Sequence, residues 1–472
     1  MTDQLNWQAE DVVRAVHGEC LQEQTWAAHG VSIDSRTVQK GDLFVALKGP
    51  SHDGHDHVAA AFNNGATAAI VARQPSQVPA QAPMLFVNDT FTALQELGRA
   101  GRARTKARIV AVTGSVGKTS SKEMLRLMLG AAGSTYANEG SLNNHWGVPL
   151  SLARLPQDAY YGVFELGMNH AGELTVLSQQ AQPDVALITT IEAVHLEFFA
   201  SSEAIADAKA EIFLGMKPDG AAVLNRDNAY YARLAAAAKT HGLKKILGFG
   251  RDSKSDARLL DYIPTEEGST VKAEIMGRKI TYQLGVAGEH LALNALGCLL
   301  ASAAIGADLE ACATALAHYQ QPKGRGVVSV VNMSNGSFTL IDESYNASPV
   351  AVRAAIRVLG QKTGGRKILA LGDMKELGDA APALHADLVQ DIIAAQIDSV
   401  FTCGEMSSYL FHVLPEKLRG SHAANSTELA LLIAAAIQAG DVITVKGSNS
   451  MQMNKIVAAL KALDTNSKKL AS

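Results

Sequence analysis

Short apolar runs alternate with polar stretches along most of the chain, and their spacing predicts a succession of β-strands and α-helices. From residue 108 onward the runs "IVAVTG", "YYGVFELG", "DVALITTI", "GAAVLN" and "KILGFG" alternate with segments whose composition favours helix. This rhythm is typical of a parallel sheet that is covered by helices on both faces. We therefore predict an α/β domain in this part of the chain.

Two further regions flank this central one. Residues 1–105 carry the shorter runs "LFVAL", "AAIVA" and "MLFV" between turn-rich loops, and the basic stretch "GRARTKAR" at their end indicates a solvated connector. The stretch "HYQQPKGRG", at 318–326, has the proline and glycine content of a linker, and beyond it "FTLIDE", "RKILALGDM", "SVFTCG" and "DVITVKGS" resume the alternation. The pattern predicts three domains, with limits of 1–105, 106–318 and 319–472.

Composition narrows the classes of protein that fit. A chain of 472 residues with 47% hydrophobic and 19% charged residues can bury several cores. Its formal net charge of -4, without a lysine- or arginine-rich run, argues against nucleic acid as a partner. The four cysteines lie far apart and form no C-x-x-C pair, which suits a reducing cytosol. We expect no export signal, and no membrane span, because no run of about 18 apolar residues occurs.

The stretch "IVAVTGSVGKTSSKEML", at 109–125, combines an apolar strand, a glycine-rich turn and a helix. The common pattern G-x-x-x-x-G-K-[ST] would require a glycine at Val112, whereas the first glycine is Gly114. A chance sequence, an ordinary nucleotide-binding loop with a defect and a different kind of phosphate loop therefore all remain open. Gly114 and Gly117 permit a tight turn, Lys118 can reach terminal phosphates, and the hydroxyl of Thr119 can bind magnesium.

Other polar residues follow predicted strands in the same region. Glu165 ends the strand "YYGVFEL", where open α/β sheets bind ligands, although a single carboxylate there is as often structural. His195 follows the strand "VALITTI", and Lys209 lies on a predicted helix. The stretch "NEGSLNNHWGVPLSL", at 138–152, supplies several asparagines before a helix-compatible run, which equally describes a polar turn with a cap.

Several motifs occur together in the order that one family shows. These are "GSVGKT", "NNHWGVP", "FELGMN", "VHLEFF", "AKAEIF", "GEHLALNALG", "PKGRG", "IDESYNASP", "LGDMKELG" and "VKGSNSM". The chain resembles the ATP-dependent Mur ligases over nearly its whole length, and "SYNASP" is similar to the wording of the MurF type. The short G-x-x-G-K-[ST] loop is that family's own form. Folylpolyglutamate synthetases share the fold and the loop but lack the C-terminal pattern.

The resemblance implies an enzyme of peptidoglycan synthesis, and so of cell shape and division. Such a ligase adds D-alanyl-D-alanine to UDP-N-acetylmuramoyl-tripeptide through an acyl phosphate, using ATP and two Mg²⁺ ions. The implied fold has a small α/β N-terminal domain, a central phosphate-loop domain and a Rossmann-like C-terminal domain. A cytoplasmic monomer that binds no nucleic acid is expected.

The resemblance also assigns residues of this sequence to the nucleotide and the metal. The residues implied in catalysis are Lys118, Glu165, His195 and Lys209, of which Lys209 is expected to be carbamylated. The ATP-binding set is Gly114, Ser115, Gly117, Lys118, Thr119, Ser120, Asn294, Arg325 and Asp342. The metal ligands would be Thr119, Glu165, His195 and carbamylated Lys209.

Two further sets are assigned to the substrates. The uridine substrate would contact Ser35, Arg36, Lys48, His52, Asn138, Asn143 and Asn144. The dipeptide would contact Tyr345, Asn346, Lys446 and Ser448, with "VKGS" leading into a helix start that binds its carboxylate.

The sequence departs from the family pattern in three places. Ala210 stands where glycine is common, the turn before His195 reads "TTIEAV" rather than containing asparagine and Gly-Pro, and Asn454 replaces a usual acid. Three alternative functions remain open: a related amide ligase with another amino-acid acceptor, a nucleotide-binding regulatory module, and a GTPase. The GTPase is the least favoured, because no N-K-x-D stretch for base recognition accompanies the loop.

Overall fold

The computed structural model describes residues 6–20, 25–79, 81–193, 197–265 and 267–465. Across these ranges the chain forms two compact units, one of Met1–Ile191 with Glu203–Tyr319, the other of Glu192–Ser202 with Gln320–Ser472. The predicted limits of three domains therefore stay predictions, because the first unit contains both the N-terminal and the central region. Among the described residues, no helix combines the length and apolarity needed to cross a membrane.

The N-terminal region of the first unit is built on a small, mainly parallel sheet. The strands of this region are β1 Trp7–Gln8, β2 Glu19–Cys20, β3 Ala27–Ala28, β4 Gly30–Ser32, β5 Asp42–Val45, β6 Ala68–Val71 and β7 Met84–Phe86, of which β1 and β3 form a separate two-stranded sheet. Its helices are α1 Ala9–Val16, α2 Val58–Asn63 and α3 Thr90–Ala103. Within the described chain β4 to β7 pair in parallel in sequence order, β2 adds antiparallel to β7, and β1 pairs with β3.

The prediction of a solvated connector at "GRARTKAR" is wrong for the first residues of that stretch. Helix α3 continues to Ala103, and Arg102 on it is buried. The guanidinium of Arg102 donates to the carbonyl oxygen of Ala181 at 2.8 Å and of Gln182 at 3.3 Å. A basic residue can be buried in this way because its donors meet backbone acceptors, which a composition argument does not reveal.

The central region contains a larger sheet. Its strands are β8 Arg108–Thr113, β9 Thr135–Ala137, β10 Tyr161–Glu165, β11 Val185–Ile188, β12 Ala221–Asn225, β13 Lys245–Gly250, β14 Ala257–Thr265, β15 Gly268–Ile275 and β16 Arg278–Leu284. In the described residues their order is β16-β15-β14-β13-β12-β11-β8-β10-β9. The strands from β8 to β14 are parallel as predicted, whereas β14, β15 and β16 form an antiparallel ribbon that the apolar runs did not predict.

Helices cover both faces of this sheet. They are α4 Lys118–Ala132, α5 Gly147–Ala153, α6 Glu173–Ala181, α7 Ser202–Ala210, α8 Tyr231–Thr240, α9 Glu289–Ala304 and α10 Leu309–Ala315. Val110 and Val112 of β8 belong to a core that contains side chains of α4 and α9, and Ile109 and Ala111, which point the other way, are equally buried. Because successive strand residues face opposite sides, burial of all four requires a cover on each face.

The second unit has its own sheet. Its strands are β17 Val327–Met333, β18 Gly336–Glu343, β19 Lys367–Gly372, β20 Ser399–Cys403, β21 Arg419–Ala423 and β22 Val442–Lys446. Its helices are α11 Pro349–Gly360, α12 Ala381–Ala386, α13 Leu388–Ala394, α14 Ser407–Val413, α15 Ser426–Ala436 and α16 Asn454–Lys461. Over the described residues the order is β17-β18-β22-β19-β20-β21, parallel except for the β17–β18 hairpin.

The topology of the central sheet marks the place where a ligand would bind. After β8 the chain adds β9 and β10 on one side of that strand, and then crosses to the other side for β11, β12 and β13. Ligands of open α/β sheets bind at the carboxyl ends of strands where the strand order reverses in this way. We therefore expect a ligand beside the loop after β8 and the last residues of β10 and β11.

Candidate active site

At two positions of the loop between β8 and α4, the backbone conformation and the close surroundings can be accommodated only by glycine. Gly114 has φ +148°, and a Cβ on it would lie 2.0 Å from the hydroxyl oxygen of Thr189. Gly117 has φ +89°, and a Cβ there would lie 2.7 Å from the side-chain nitrogen of Asn294. The loop is thus packed against the end of β11 and against α9, which places the predicted nucleotide residue Asn294 directly beside it.

Lys118 is the first residue of α4, and its ammonium group folds back over the loop. Nζ donates to the carbonyl oxygen of Gly114 at 2.8 Å and lies 3.4 Å from that of Ser115. These acceptors are neutral, so a phosphate oxygen would be a stronger partner. The backbone N–H of Ser115 donates to Thr190 O at 2.8 Å, and Ser120 is buried in the first turn of the helix. A lysine at a helix N-terminus is a suitable site for an anion.

Glu165 ends β10 beside this loop and is only 2% exposed. Its Oε2 accepts a hydrogen bond from the hydroxyl of Thr119 at 2.8 Å, and its Oε1 accepts one from Nδ2 of Asn143 at 2.7 Å. The described residues hold no group of three His, Cys, Asp or Glu side chains with metal-binding geometry. Mg²⁺ typically takes one or two carboxylates together with substrate phosphates and water, so Thr119 and Glu165 fit such an ion.

Lys209 lies in the last turn of α7 and is 1% exposed. Burial, and secondarily the positive charge of Lys118, hold the pKa of Lys209 well below its usual range. A lowered pKa increases the fraction of a lysine that is present as the neutral, nucleophilic amine at a given pH. This is the form that can add carbon dioxide, so the environment suits the predicted carbamate. His195, the remaining predicted metal ligand, lies outside the described residues.

The predicted asparagines take different places. Asn138 is 1% exposed; its Oδ1 accepts from Glu165 N at 2.9 Å and its Nδ2 donates to Leu142 O at 2.8 Å. Asn144 lies just before α5, and its Oδ1 accepts from the backbone N–H of Gly147, the first residue of that helix, at 2.9 Å. Both thus make bonds within the protein, and their predicted contacts with the substrate stay predictions. Asn143 instead joins the site through Glu165.

The predicted uridine residues of the N-terminal region lie in two neighbouring loops. Ser35 and Arg36 follow β4, and Lys48 and His52 follow β5. Since β4 and β5 are parallel neighbours, both loops lie at the same edge of the sheet. Arg36 is exposed and pairs with Asp34, its nitrogen and the carboxylate oxygen being 2.6 Å apart.

The second of these loops also reaches the start of α5. A Cβ on Gly49, whose N–H donates to His52 O at 2.8 Å, would lie 3.1 Å from the ring of Trp146. Trp146 follows Asn143 and Asn144 in sequence, and Trp7 of β1 donates to Ala153 O of the same helix at 2.9 Å. The N-terminal loops and the asparagine segment are therefore neighbours within the first unit.

In the second unit the predicted residues gather around β18 and β22. The guanidinium carbon of Arg325 lies 4.2 Å from the centre of the Tyr345 ring. The buried carboxylate of Asp342 accepts from the N–H of Ser344 at 3.1 Å and from its hydroxyl at 2.6 Å. Nζ of Lys446 is buried and lies 3.0 Å from Oε2 of Glu343 and 3.1 Å from the carbonyl oxygen of Asn346.

The helix start predicted after "VKGS" is wrong in detail. Ser448 is followed by a three-residue 3₁₀ turn, Asn449–Met451, and α16 begins only at Asn454. The hydroxyl of Ser448 accepts from the backbone N–H of Lys375 at 2.9 Å, and its own N–H donates to Asp373 O at 3.1 Å. A short 3₁₀ turn supplies a much weaker dipole than an α-helix.

Two charged residues near these sites were not predicted from the sequence. Lys122 of α4 is completely buried, and the carboxylate of Asp373 accepts from Ser407 N at 2.8 Å and pairs with Lys375 at 3.0 Å. Lys122 comes shortly after the "GSVGKT" motif, and Asp373 stands inside "LGDMKELG". For Asp373 the signal that would have found it is a charged residue directly after the apolar run "ILALG". Lys122 stands between Ser121 and Glu123, so the sequence carries no such signal for its burial.

Comparison with known proteins places the chain in one family. Family models match in succession: "Mur ligase family, catalytic domain" at 27–102, "Mur ligase middle domain" at 112–302 and "Mur ligase, glutamate ligase domain" at 307–449. The UDP-N-acetylmuramoyl-tripeptide–D-alanyl-D-alanine ligase of Rickettsia prowazekii is 36% identical over 427 residues, which cover 90% of this chain and 94% of that protein.

Solved structures agree with this result. MurF from Acinetobacter baumannii has a TM-score of 0.84 at 31% identity, over 98% of this chain and 100% of that one. MurF ligase from Thermotoga maritima in complex with ADP has a TM-score of 0.74 at 26% identity, over 92% and 97%. The predicted α/β fold of three domains is confirmed by this likeness. The short phosphate loop and the Thr119–Glu165 pair agree with the family models, which match in order along the chain. The chain therefore belongs to the Mur ligase family.

Proposed function

We propose that this chain is the ATP-dependent ligase that joins D-alanyl-D-alanine to UDP-N-acetylmuramoyl-tripeptide and so forms the pentapeptide precursor of peptidoglycan. One observation carries the proposal: a phosphate loop with Lys118 lies beside the hydrogen-bonded Thr119–Glu165 pair at the carboxyl end of the central sheet. Relatives whose names give this activity match the chain over its length.

The reaction begins by bringing two anions together. An oxygen of the tripeptide carboxylate attacks the γ-phosphorus of ATP, the bond to the bridging oxygen breaks, and ADP leaves. Lys118 stabilises the negative charge on the transferred group, which a pre-positioned cation does at little cost of reorganisation. Thr119 and Glu165 would hold Mg²⁺, whose charge lowers the repulsion between carboxylate and triphosphate.

The second step forms the amide. The free amine of the dipeptide attacks the carbonyl carbon of the acyl phosphate, inorganic phosphate leaves, and the amine loses a proton. We assign the dipeptide to Tyr345, Asn346, Lys446 and Ser448 of the second unit. Lys446 and Ser448 lie at the carboxyl end of β22, the edge at which parallel sheets bind ligands.

Carbamylation of Lys209 is part of the proposal. A protonated lysine beside Lys118 and a magnesium ion would be repelled, whereas a carbamate is an anionic oxygen ligand. The lowered pKa of Lys209, caused first by burial, supports it because the neutral amine reacts with carbon dioxide. Contacts of Arg325, Asp342 and Asn294 with the nucleotide, a monomeric state and a place in the cytoplasm remain expectations from the resemblance.

A substrate panel tests the acceptor. The purified protein is incubated with Mg²⁺-ATP and the UDP-muramoyl-tripeptide, and with D-alanyl-D-alanine, single amino acids or no acceptor, and phosphate release is measured with the mass of the product. Phosphate release that depends on the dipeptide, together with a product whose mass exceeds that of the UDP-muramoyl-tripeptide by two alanine residues, supports the proposal. Release with a single amino acid supports a related ligase with another acceptor, and ATP binding without turnover that the substrates stimulate supports a regulatory module.

A further inference from the structure

The side chain of Lys122 is completely buried, one helical turn after Lys118 on α4. Placing an ammonium group in the interior is unfavourable unless its donors are satisfied, so a buried lysine marks a position where its bonds are needed. Nothing in the proposed reaction uses Lys122, because it does not belong to the loop that faces the phosphates.

Three acceptors surround Nζ of Lys122. It donates to the carbonyl oxygen of Asn138 at 2.9 Å and to that of Gly140 at 3.2 Å, and it lies 2.9 Å from Oε1 of Glu123. An ammonium group has three donors, so these partners match its full capacity. Two of the three are backbone atoms of the segment that connects β9 to α5, and Lys122 thereby ties this segment to α4.

The same segment holds Glu165 on its other side. The side-chain amide of Asn138 binds the backbone of Glu165 twice, accepting from its N–H at 2.9 Å and lying 3.3 Å from its carbonyl oxygen. The carbonyl oxygen of Asn143 accepts from Gly167 N at 2.8 Å, while Nδ2 of Asn143 donates to Oε1 of Glu165 at 2.7 Å. Segment 138–143 is therefore clamped between Lys122 and the end of β10.

This arrangement fixes the direction of one carboxylate. Glu165 is held at Oε1 by Asn143 and at Oε2 by Thr119, which is itself on α4. Both restraints therefore depend on α4, one directly and one through Lys122 and segment 138–143. Mg²⁺ demands near-ideal octahedral geometry, and partners that orient a metal-binding carboxylate change metal affinity by about 10- to 100-fold.

We propose that Lys122 is a positioning residue that orients the Glu165 carboxylate through segment 138–143 and so sets the affinity of the site for Mg²⁺-nucleotide. The inference rests on the proposed function for the presence of Mg²⁺ and nucleotide at this site. It differs from a purely structural role, which would lower the stability of the fold without changing the dependence of nucleotide binding on the metal.

The test compares Lys122→Met with a matched control on the same helix. Methionine keeps the length of the aliphatic chain and removes the three donors. Arg126→Met removes the other partner of Glu123, which Nε of Arg126 contacts at 2.7 Å, and leaves segment 138–143 untouched. ADP binding is measured by calorimetry with a series of Mg²⁺ concentrations and without the metal, together with the melting temperature of each variant.

We expect wild-type protein and Arg126→Met to show the same tightening of ADP binding by Mg²⁺. In Lys122→Met the Mg²⁺ concentration for half of this effect rises at least about tenfold, while metal-free ADP binding is unchanged. In the ligation assay, kcat at fixed Mg²⁺ falls and the KM for D-alanyl-D-alanine stays the same. Excess Mg²⁺ restores part of the lost rate at temperatures well below the melting temperature of the variant, where a loss of stability alone leaves the rate unchanged.

Unchanged Mg²⁺ dependence in folded Lys122→Met overturns the proposal. If that variant does not fold, Lys122→Gln is measured instead, since glutamine keeps one neutral donor group and is expected to give a smaller shift in the same direction; wild-type behaviour of this variant also overturns the proposal. Failure of the proposed function appears separately, as wild-type protein that binds Mg²⁺-ADP but releases no phosphate with the dipeptide.

Discussion

Two loops of this protein present a lysine at or beyond the carboxyl end of an inner parallel strand, and the described contacts of the two lysines differ. Lys118 follows β8, and the contacts that the structure describes for its ammonium include the neutral carbonyl oxygens of Gly114 and Ser115. Lys446 ends β22, and its ammonium lies 3.0 Å from the carboxylate of Glu343. A phosphate can replace a neutral acceptor with a gain in electrostatic energy, whereas an anion near Lys446 must compete with an existing charge.

The two loops also lead into different elements. α4 begins at Lys118 and runs to Ala132, so its N-terminal amides and its dipole support an anion in the loop. After Lys446 and Ser448 comes the 3₁₀ turn Asn449–Met451, which is too short to do the same. A lysine after a strand therefore indicates a strong anion site only when a full helix begins at that lysine.

Substitution of Lys118 is expected to show the difference between the two loops most clearly. We expect Lys118→Ala to lower kcat for ligation by about 10³-fold, because a pre-positioned charge at the transferred phosphate is lost. ADP binding weakens as well, which calorimetry measures. Lys254→Ala, at an exposed turn of the same unit, is the control and keeps wild-type rates. Retention of ligation by Lys118→Ala would contradict the proposed role of the loop.

A second variant tests the buried lysine beside the first loop. Lys209→Ala is expected to lower kcat by about 10²-fold, since the site loses an anionic ligand. With ¹³C-bicarbonate, the wild-type protein shows a carbamate signal by NMR that the variant lacks, and depletion of bicarbonate slows only enzymes that contain Lys209. The exposed Lys239→Ala on α8 serves as the control. Full activity of Lys209→Ala would disprove the carbamate.

Removing Lys446 should have a smaller and different effect. Lys446→Met is expected to raise the KM for D-alanyl-D-alanine by about tenfold, equivalent to about 1.4 kcal/mol, with ADP binding unchanged. Steady-state kinetics with the dipeptide as the varied substrate measure this, beside the exposed Lys455→Met. A loss of ADP affinity in Lys446→Met as large as that of Lys118→Ala would mean that the two loops do not differ as described.

The weakest of these effects concerns pH and the surroundings of the second loop. Nε2 of the buried His385 accepts from the N–H of Met374 at 2.9 Å, beside Asp373 and Lys375, which contact Ser448. Burial is the main cause that holds the pKa of His385 below its usual value of 6.5. The unfolded chain therefore binds more protons as the pH falls below about 6.5, so the free energy of unfolding decreases there, by at most about 1.4 kcal/mol per pH unit.

Denaturant unfolding between about pH 5 and 7.5 measures this slope around the ordinary pKa of histidine. In the variant His385→Gln, the histidine, whose Nδ1 lies 2.7 Å from Ala381 O, is replaced by glutamine, which keeps one acceptor and one donor group but does not titrate. We expect it to flatten the slope even where it lowers the overall stability. A slope identical to that of the wild-type protein would assign the pH dependence to other groups.

The order of strands and helices could be predicted because each buried strand is a short apolar run between turn signals. The antiparallel ribbon β14–β16 was not predicted, although its strands alternate in polarity. At the turn between β15 and β16, Met276 and Gly277 have φ +50° and +81°. Those are the angles of a type I′ hairpin turn, for which glycine is a recognisable signal but methionine is not. The extent of the sheet therefore could not be predicted from its apolar runs alone.

The amino-acid sequence alone was enough to identify the family, the position of the phosphate loop and the roles expected of Lys118, Thr119 and Glu165. These depend on residues that are close in the chain or on motifs in a fixed order. The pairing of polar groups was settled only by the tertiary fold: Lys122 meets Asn138, and Asn143 meets Glu165, across intervening strands and helices. Burial and hydrogen bonding between distant segments set the charge and direction of a side chain, and neither is encoded locally.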